Sequence, residues 1–145
     1  MSTLRQFLKQ KEYHRIKMTT TKTMHFEVTA ILNDIRGTFI VDTGASNSCV
    51  GFEAVHKFNL FAEDSDVKAA GAGATDMTTQ LSKKNNIQLG SWRKNRISLV
   101  LFDLTHVNSA LVAHDAAPVD GIIGADILKR GKAIIDYERK CLYLK

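Results

Sequence analysis

Three apolar residues, Phe39-Ile40-Val41, run directly into Asp42-Thr43-Gly44-Ala45-Ser46. So short an apolar run, with β-branched members, reads as a strand buried in a core. An aspartate that ends such a strand is held on a rigid element at the edge of that core. Thr43 and Gly44 are small enough to let a second backbone approach closely. Taken alone, the tripeptide has a plainer reading as a turn after a strand, since Asp and Gly are common turn residues. About eighty residues later comes Val119-Asp120-Gly121-Ile122-Ile123-Gly124-Ala125-Asp126-Ile127-Leu128. Two branched aliphatics lead into a glycine and a short amphipathic stretch, and Gly124 allows a close crossing that a Cβ would obstruct. Between the two motifs lies Ala70-Gly71-Ala72-Gly73-Ala74, a small-residue run in polar, strand-compatible sequence.

In this order and spacing the motifs resemble those of the aspartic proteases, and in particular the retropepsin-like, single-lobe members, over residues 25–145. The resemblance implies a mostly β fold, a closed β-barrel-like lobe with one or two short helices. It also implies an aspartic-type endopeptidase with Asp42, Thr43 and Gly44 as the catalytic set and no cofactor. Ala45 and Ser46, together with a hairpin flap at Ala70, Gly71, Ala72, Gly73 and Ala74, would contact the peptide or protein substrate. Ser46 would lie close enough to hydrogen-bond the carboxylates. The family uses two carboxylates about 3 Å apart that share one proton, because both cannot ionise at that distance. One deprotonates a water and the other protonates the substrate carbonyl. No other Asp in this chain precedes Thr-Gly or Ser-Gly, so the chain supplies half of such a site. The second Asp42 would come from another copy in a two-fold homodimer, the commonest soluble assembly. Thr43 would then bond across the axis and Gly44 would leave room for the approach. The competing class is a non-catalytic module that keeps the fold for dimerisation or peptide binding, and the intact Asp-Thr-Gly speaks against it. The chain departs from the viral enzymes in the longer spacing between flap and Ile-Ile-Gly, and in a basic N-terminal arm.

That arm holds Arg5, Lys9, Lys11, Arg15, Lys17 and Lys22 against Glu12, a net +5 that equals the formal charge of all 145 residues. Residues 1–24 therefore read as a basic extension and 25–145 as the protease domain. Charge alone would also suit nucleic acid or an acidic partner. No nucleic-acid signature or interleaved aromatic supports that, and a solvated or docking extension is the favoured reading. Leu4, Phe7 and Leu8 share a short helical face.

At 145 residues the chain suits one domain with a single core. No run of eighteen apolar residues predicts a membrane span, and the first residues lack a secretory pattern. The expected location is cytoplasmic, where Cys49 and Cys141 stay reduced. The five histidines, His14, His25, His56, His106 and His114, show no metal-ligand spacing. Gly71-x-Gly73 lacks the further residues of a dinucleotide or phosphate loop, and no nucleophile elbow surrounds Ser46, Ser48 or Cys49.

Phe26, Val28 and Ala30 alternate with polar residues, and residues 33–37 read as a hairpin connection into the next strand. Phe52, Val55 and Phe58 have helical spacing. Residues 107–113 read as either helix or loop. Residues 97–102 read as a strand buried on both faces. A short helix is expected after Gly124, and terminal strands at residues 133–136 and 141–144.

Overall fold

The computed structural model describes residues 1–64, 69–71 and 74–145. In chain order it contains α1 (Leu4–Gln10), β1 (His14–Lys17), β2 (Thr19–Thr20), β3 (Phe26–Leu32), β4 (Ile35–Val41) and β5 (Cys49–Gly51). Next come β6 (Glu63–Asp64), β7 (Ala69–Gly71), β8 (Ala74–Met77), β9 (Gln80–Leu89) and β10 (Trp92–Phe102). The chain ends with α2 (Thr105–Ala113), β11 (Gly121–Ile123), α3 (Ala125–Arg130), β12 (Ile134–Asp136) and β13 (Cys141–Leu144).

Alternation in β3 does what the sequence predicts: Val28, Ala30 and Leu32 are buried and Thr29 is exposed. The connection to β4 is tighter than expected. Leu32 pairs with Ile35, so only Asn33 and Asp34 turn, at φ of 50° and 67°. Positive φ at both central residues gives a turn whose twist matches the flanking strands, and Asn and Asp tolerate it. Asn33 also joins this turn to the opposite side of the sheet. Its Nδ2 donates to Asn85 Oδ1 (2.9 Å) and to the Phe58 carbonyl (3.0 Å), while its Oδ1 accepts from the Asn86 amide (2.9 Å). There β3 pairs with β9, closing the ring β3-β4-β11-β5-β10-β9 into a six-stranded barrel. Closure removes free sheet edges.

The barrel holds the main core, with Leu32, Phe39, Val50, Phe58, Leu99, Leu101, Ile123 and Ile127 among its buried members. Strand β10 is buried continuously from Leu99 to Phe102, with Leu99 and Leu101 in the main core. Val100 and Phe102 pack on the other face against Cys49, Leu104 and Ile122.

The basic N-terminal stretch is docked on this body. Strand β1 pairs antiparallel with β13, from His14 opposite Leu144 to Lys17 opposite Cys141. Ile16 and Met18 join the main core, and Leu8 of α1 packs on Cys141 and Tyr143. A Thr3–Gln6 capping box starts α1 by satisfying amides that the first turn leaves free. Charge dominates the composition here and masks the few apolar anchors.

Other details differ from the sequence reading for local reasons. Residues 52–54 form only one 3₁₀ turn, and Asn59 at φ 54° ends the segment after Phe58 has entered the core. Residues 105–113 are helical, one of the two readings open for 107–113, and the Asp103 carboxylate just ahead accepts from the Thr105 amide at 2.8 Å and from its hydroxyl. Strands β7 and β8 pair with each other, Ala69 opposite Met77 and Gly71 opposite Ala74. The expected flap tip at Ala72 and Gly73 lies outside the described residues.

Candidate active site

Strand β11 is the element that makes the site. It runs parallel to β4, placing Phe39, Ile40 and Val41 opposite Gly121, Ile122 and Ile123. On its other side it runs antiparallel to β5. The loop of residues 42–48 joins β4 to β5 and therefore has to cross the end of β11. Gly124 permits the crossing: a Cβ there would sit 2.7 Å from the Ala45 carbonyl oxygen and 3.0 Å from Asn47 backbone atoms. The crossing is sealed by hydrogen bonds from the Asp42 amide to the Ile123 carbonyl (2.9 Å) and from the Ala125 amide to the Ala45 carbonyl (2.7 Å).

A polar clamp beneath the loop was not foreseen from the sequence. Ser48 is fully buried, donates its hydroxyl to Asp126 Oδ1 (2.7 Å) and accepts the Gly124 amide (2.8 Å). Asp126 Oδ1 also accepts the Ser48 and Ile127 amides, at 2.9 and 2.8 Å. Charge-assisted acceptors of this kind are the stronger hydrogen bonds. The partners are 78 residues apart in sequence, so only a polar residue at the mouth of β5 and a carboxylate two residues after Gly124 hinted at the link. Ser48→Ala would leave the buried Gly124 amide unsatisfied. We expect a loss of about 1–3 kcal/mol in denaturant unfolding, and an unchanged midpoint would refute the clamp.

Held in this way, Asp42 is exposed at the surface of the lobe, with Thr43 and Gly44 exposed beside it and Ala45 half-buried. The Gly44 amide donates to Asp42 Oδ1 at 2.9 Å and fixes the orientation of the carboxylate. Thr43 lines a shallow groove with Ala125, Leu128, Lys132 and Ile135. Ser46 is exposed, and the hydroxyl that ties the loop belongs to Ser48 instead.

Asp42 borders a groove of about 330 Å³ lined by Ile40, Ile122, His25, His106 and Leu111. A larger cavity of about 680 Å³ lies on the other face of α2, among Phe52, Lys57, Leu104, Val112 and Asp120, and does not reach Asp42. The carboxylate chemistry favours the smaller groove. Asp120 is a strut, since its Oδ2 accepts the Thr38 amide and pairs with Lys57 Nζ, both at 2.9 Å. Burial pushes the Cys49 thiol up to about 12, against smaller opposing help from a backbone hydrogen bond at Ile122, which removes it as a nucleophile near neutral pH. Among the described residues, no three His, Cys, Asp or Glu side chains cluster to hold a metal.

The sequence profile of the family described as aspartyl protease matches residues 28–127, which span both the Asp42 loop and the β11 crossing. The chain belongs to the aspartyl protease family. No curated protein matches the sequence. Among solved structures, the aspartyl protease chain is similar to a retropepsin-like aspartic protease from Rickettsia conorii, at 20% identity and a TM-score of 0.58, covering 91% of this chain and 90% of that one. It is similar to the retroviral protease-like domain of Ddi1 from Leishmania major, at 18% identity and TM-score 0.59, covering 88% and 90%. It is also similar to the EIAV protease in complex with an inhibitor, at 18% identity and TM-score 0.57, covering 76% and 90%. At these identities the likeness is one of fold: the barrel is a retropepsin lobe, as the sequence motifs imply.

Proposed function

We propose that two copies of this chain pair about a two-fold axis to form an aspartic endopeptidase, with an Asp42 from each copy at the axis. The observation that carries this reading is an otherwise complete lobe with one Asp-Thr-Gly, whose carboxylate is exposed and already oriented by the Gly44 amide. One carboxylate cannot both take a proton from water and give one to the carbonyl. Two that share a proton can. The ionised Asp42 removes a proton from the attacking water. Its protonated counterpart donates to the scissile carbonyl oxygen, and a tetrahedral diol forms. Collapse of the diol returns a proton through the pair to the leaving amine.

Thr43 beside each Asp42 would hydrogen-bond across the axis and hold the two loops in register. The peptide would lie extended and pair along its backbone with the hairpin β7–β8. The two thiols, both buried and unbridged, suit the reducing cytoplasm expected from the sequence.

Sedimentation at raised protein concentration, with and without a statine-type peptide, tests the assembly. The statine hydroxyl takes the place of the water between the carboxylates, so it should stabilise the dimer and stop peptide cleavage. Monomer alone under both conditions would overturn the reading. A dimer indifferent to the statine would mark a binding module.

A further inference from the structure

We propose that the groove beside Asp42 is a subsite for an acidic side chain, with His25 and His106 at its rim reading the carboxylate of a substrate Asp or Glu. This rests on the endopeptidase reading above. The floor of the groove is apolar: Ile40, Leu111 and Ile122 are 4%, 2% and 8% exposed. Such a floor takes the aliphatic stem of a side chain but gives no reason for two exposed histidines at its mouth. Among the described residues lining the groove, they alone can become cationic, and they come from unrelated elements, the β2–β3 connection and α2.

His25 is also held in place. Its amide donates to Thr21 Oγ1 (3.1 Å), Thr21 and Thr23 share a hydroxyl contact (2.7 Å), and Thr23 Oγ1 meets His25 Nδ1 (2.7 Å). The hydroxyl chain engages Nδ1 and leaves Nε2 without a partner among the described residues. A surface histidine with no role needs no such brace. His106 also lies near Asp103, whose Oδ1 accepts the Thr105 hydroxyl and amide and whose negative charge acts on the imidazole. Asp42 is the other anion in the groove. Across the dimer, the one negative charge on the Asp42 pair and the two Asp103 carboxylates stand against four imidazoles, which outweigh them when protonated. Hydrogen bonds between ionised partners exceed neutral ones in strength. Two-fold symmetry places one such groove on each side of the scissile bond, so acidic residues are favoured on both sides.

The test uses the full chain with matched peptides that carry Glu, Gln or Leu at the residues flanking the cleaved bond, at about pH 5, where histidine is commonly charged. The expected result is a kcat/KM at least about tenfold higher for Glu than for Gln. That ratio falls to about one when His25→Gln is combined with His106→Gln. It returns when His25→Gln is combined instead with His106→Arg, which restores a cation. Equal cleavage of the Glu and Gln peptides by the wild type, or a ratio untouched by the double substitution, would overturn the subsite and leave the endopeptidase standing. Failure to cleave any peptide, with no stabilisation by a statine inhibitor carrying Glu, Gln or Leu, would remove both.

Discussion

Asp42→Asn is expected to reduce peptide cleavage by roughly 10⁴-fold while leaving the lobe folded. An amide cannot accept the proton from water, yet its oxygen can still take the Gly44 amide that Asp42 Oδ1 holds at 2.9 Å. Asp42 is exposed and makes no buried ion pair, so the unfolding free energy should move by no more than about 0.5 kcal/mol. The more informative measurement mixes the variant with wild type. If each copy supplies one carboxylate, excess Asp42→Asn chain captures wild-type chain in mixed pairs and activity falls as variant is added. Activity that depends only on the amount of wild-type chain would eliminate a shared site. Full activity in the variant alone would eliminate the carboxylate mechanism.

Gly121→Ala is expected to cost about 3 kcal/mol or more, a fall in melting temperature of roughly 10 °C. Gly121 is paired on both sides, with Phe39 of β4 and Val50 of β5. A Cβ there would overlap the Cys49 carbonyl oxygen and lie 2.7 Å from the Phe39 ring edge. A backbone carbonyl in a ladder cannot step aside without breaking the ladder, and Phe39 is fully buried. Gly51→Ala is the matched control. The Cβ would come no nearer than 3.3 Å to the Leu104 side chain, and the change should stay within about 1 kcal/mol because it also stiffens the unfolded chain. Similar melting temperatures for the two variants would show that the tight packing at Gly121 between β4 and β5 is not what fixes this strand.

The features legible in the sequence were those that local chemistry dictates. Asp42-Thr43-Gly44 and Ile122-Ile123-Gly124 announced a strand end and a close crossing through their order and spacing together, since each alone also suits an ordinary turn. Alternation announced β3, and the residues around Asn33 and Asp34 announced a hairpin, although not its two-residue tightness. What escaped depends on partners far apart in the chain. Ser48 and Asp126 look unremarkable until β11 inserts between β4 and β5 and brings them together. Ile16 and Met18 are single apolar residues in a lysine-rich stretch, too few for periodicity to speak, and only pairing with β13 gives them a core. The groove at Asp42 owes its outer wall to α2, which is tied to the chain ahead of it by Asp103 and to Val119 by Asn108, whose side chain bonds that residue's amide and carbonyl at 2.7 and 3.2 Å.

Strand β13 has β1 along one side and β12 along the other, both from its own chain. It needs no strand from a second copy to finish its ladder, so on the dimer reading the making of a lobe and the meeting of two lobes would be separate equilibria. On that reading, a newly synthesised copy would fold alone and still hold only half of the reacting pair. On the dimer reading, abundance then becomes the trigger. Scattered copies are harmless to their neighbours, whereas local crowding, on a scaffold or within a larger assembly, turns the same folded chains into a cutting enzyme without any change in their covalent structure.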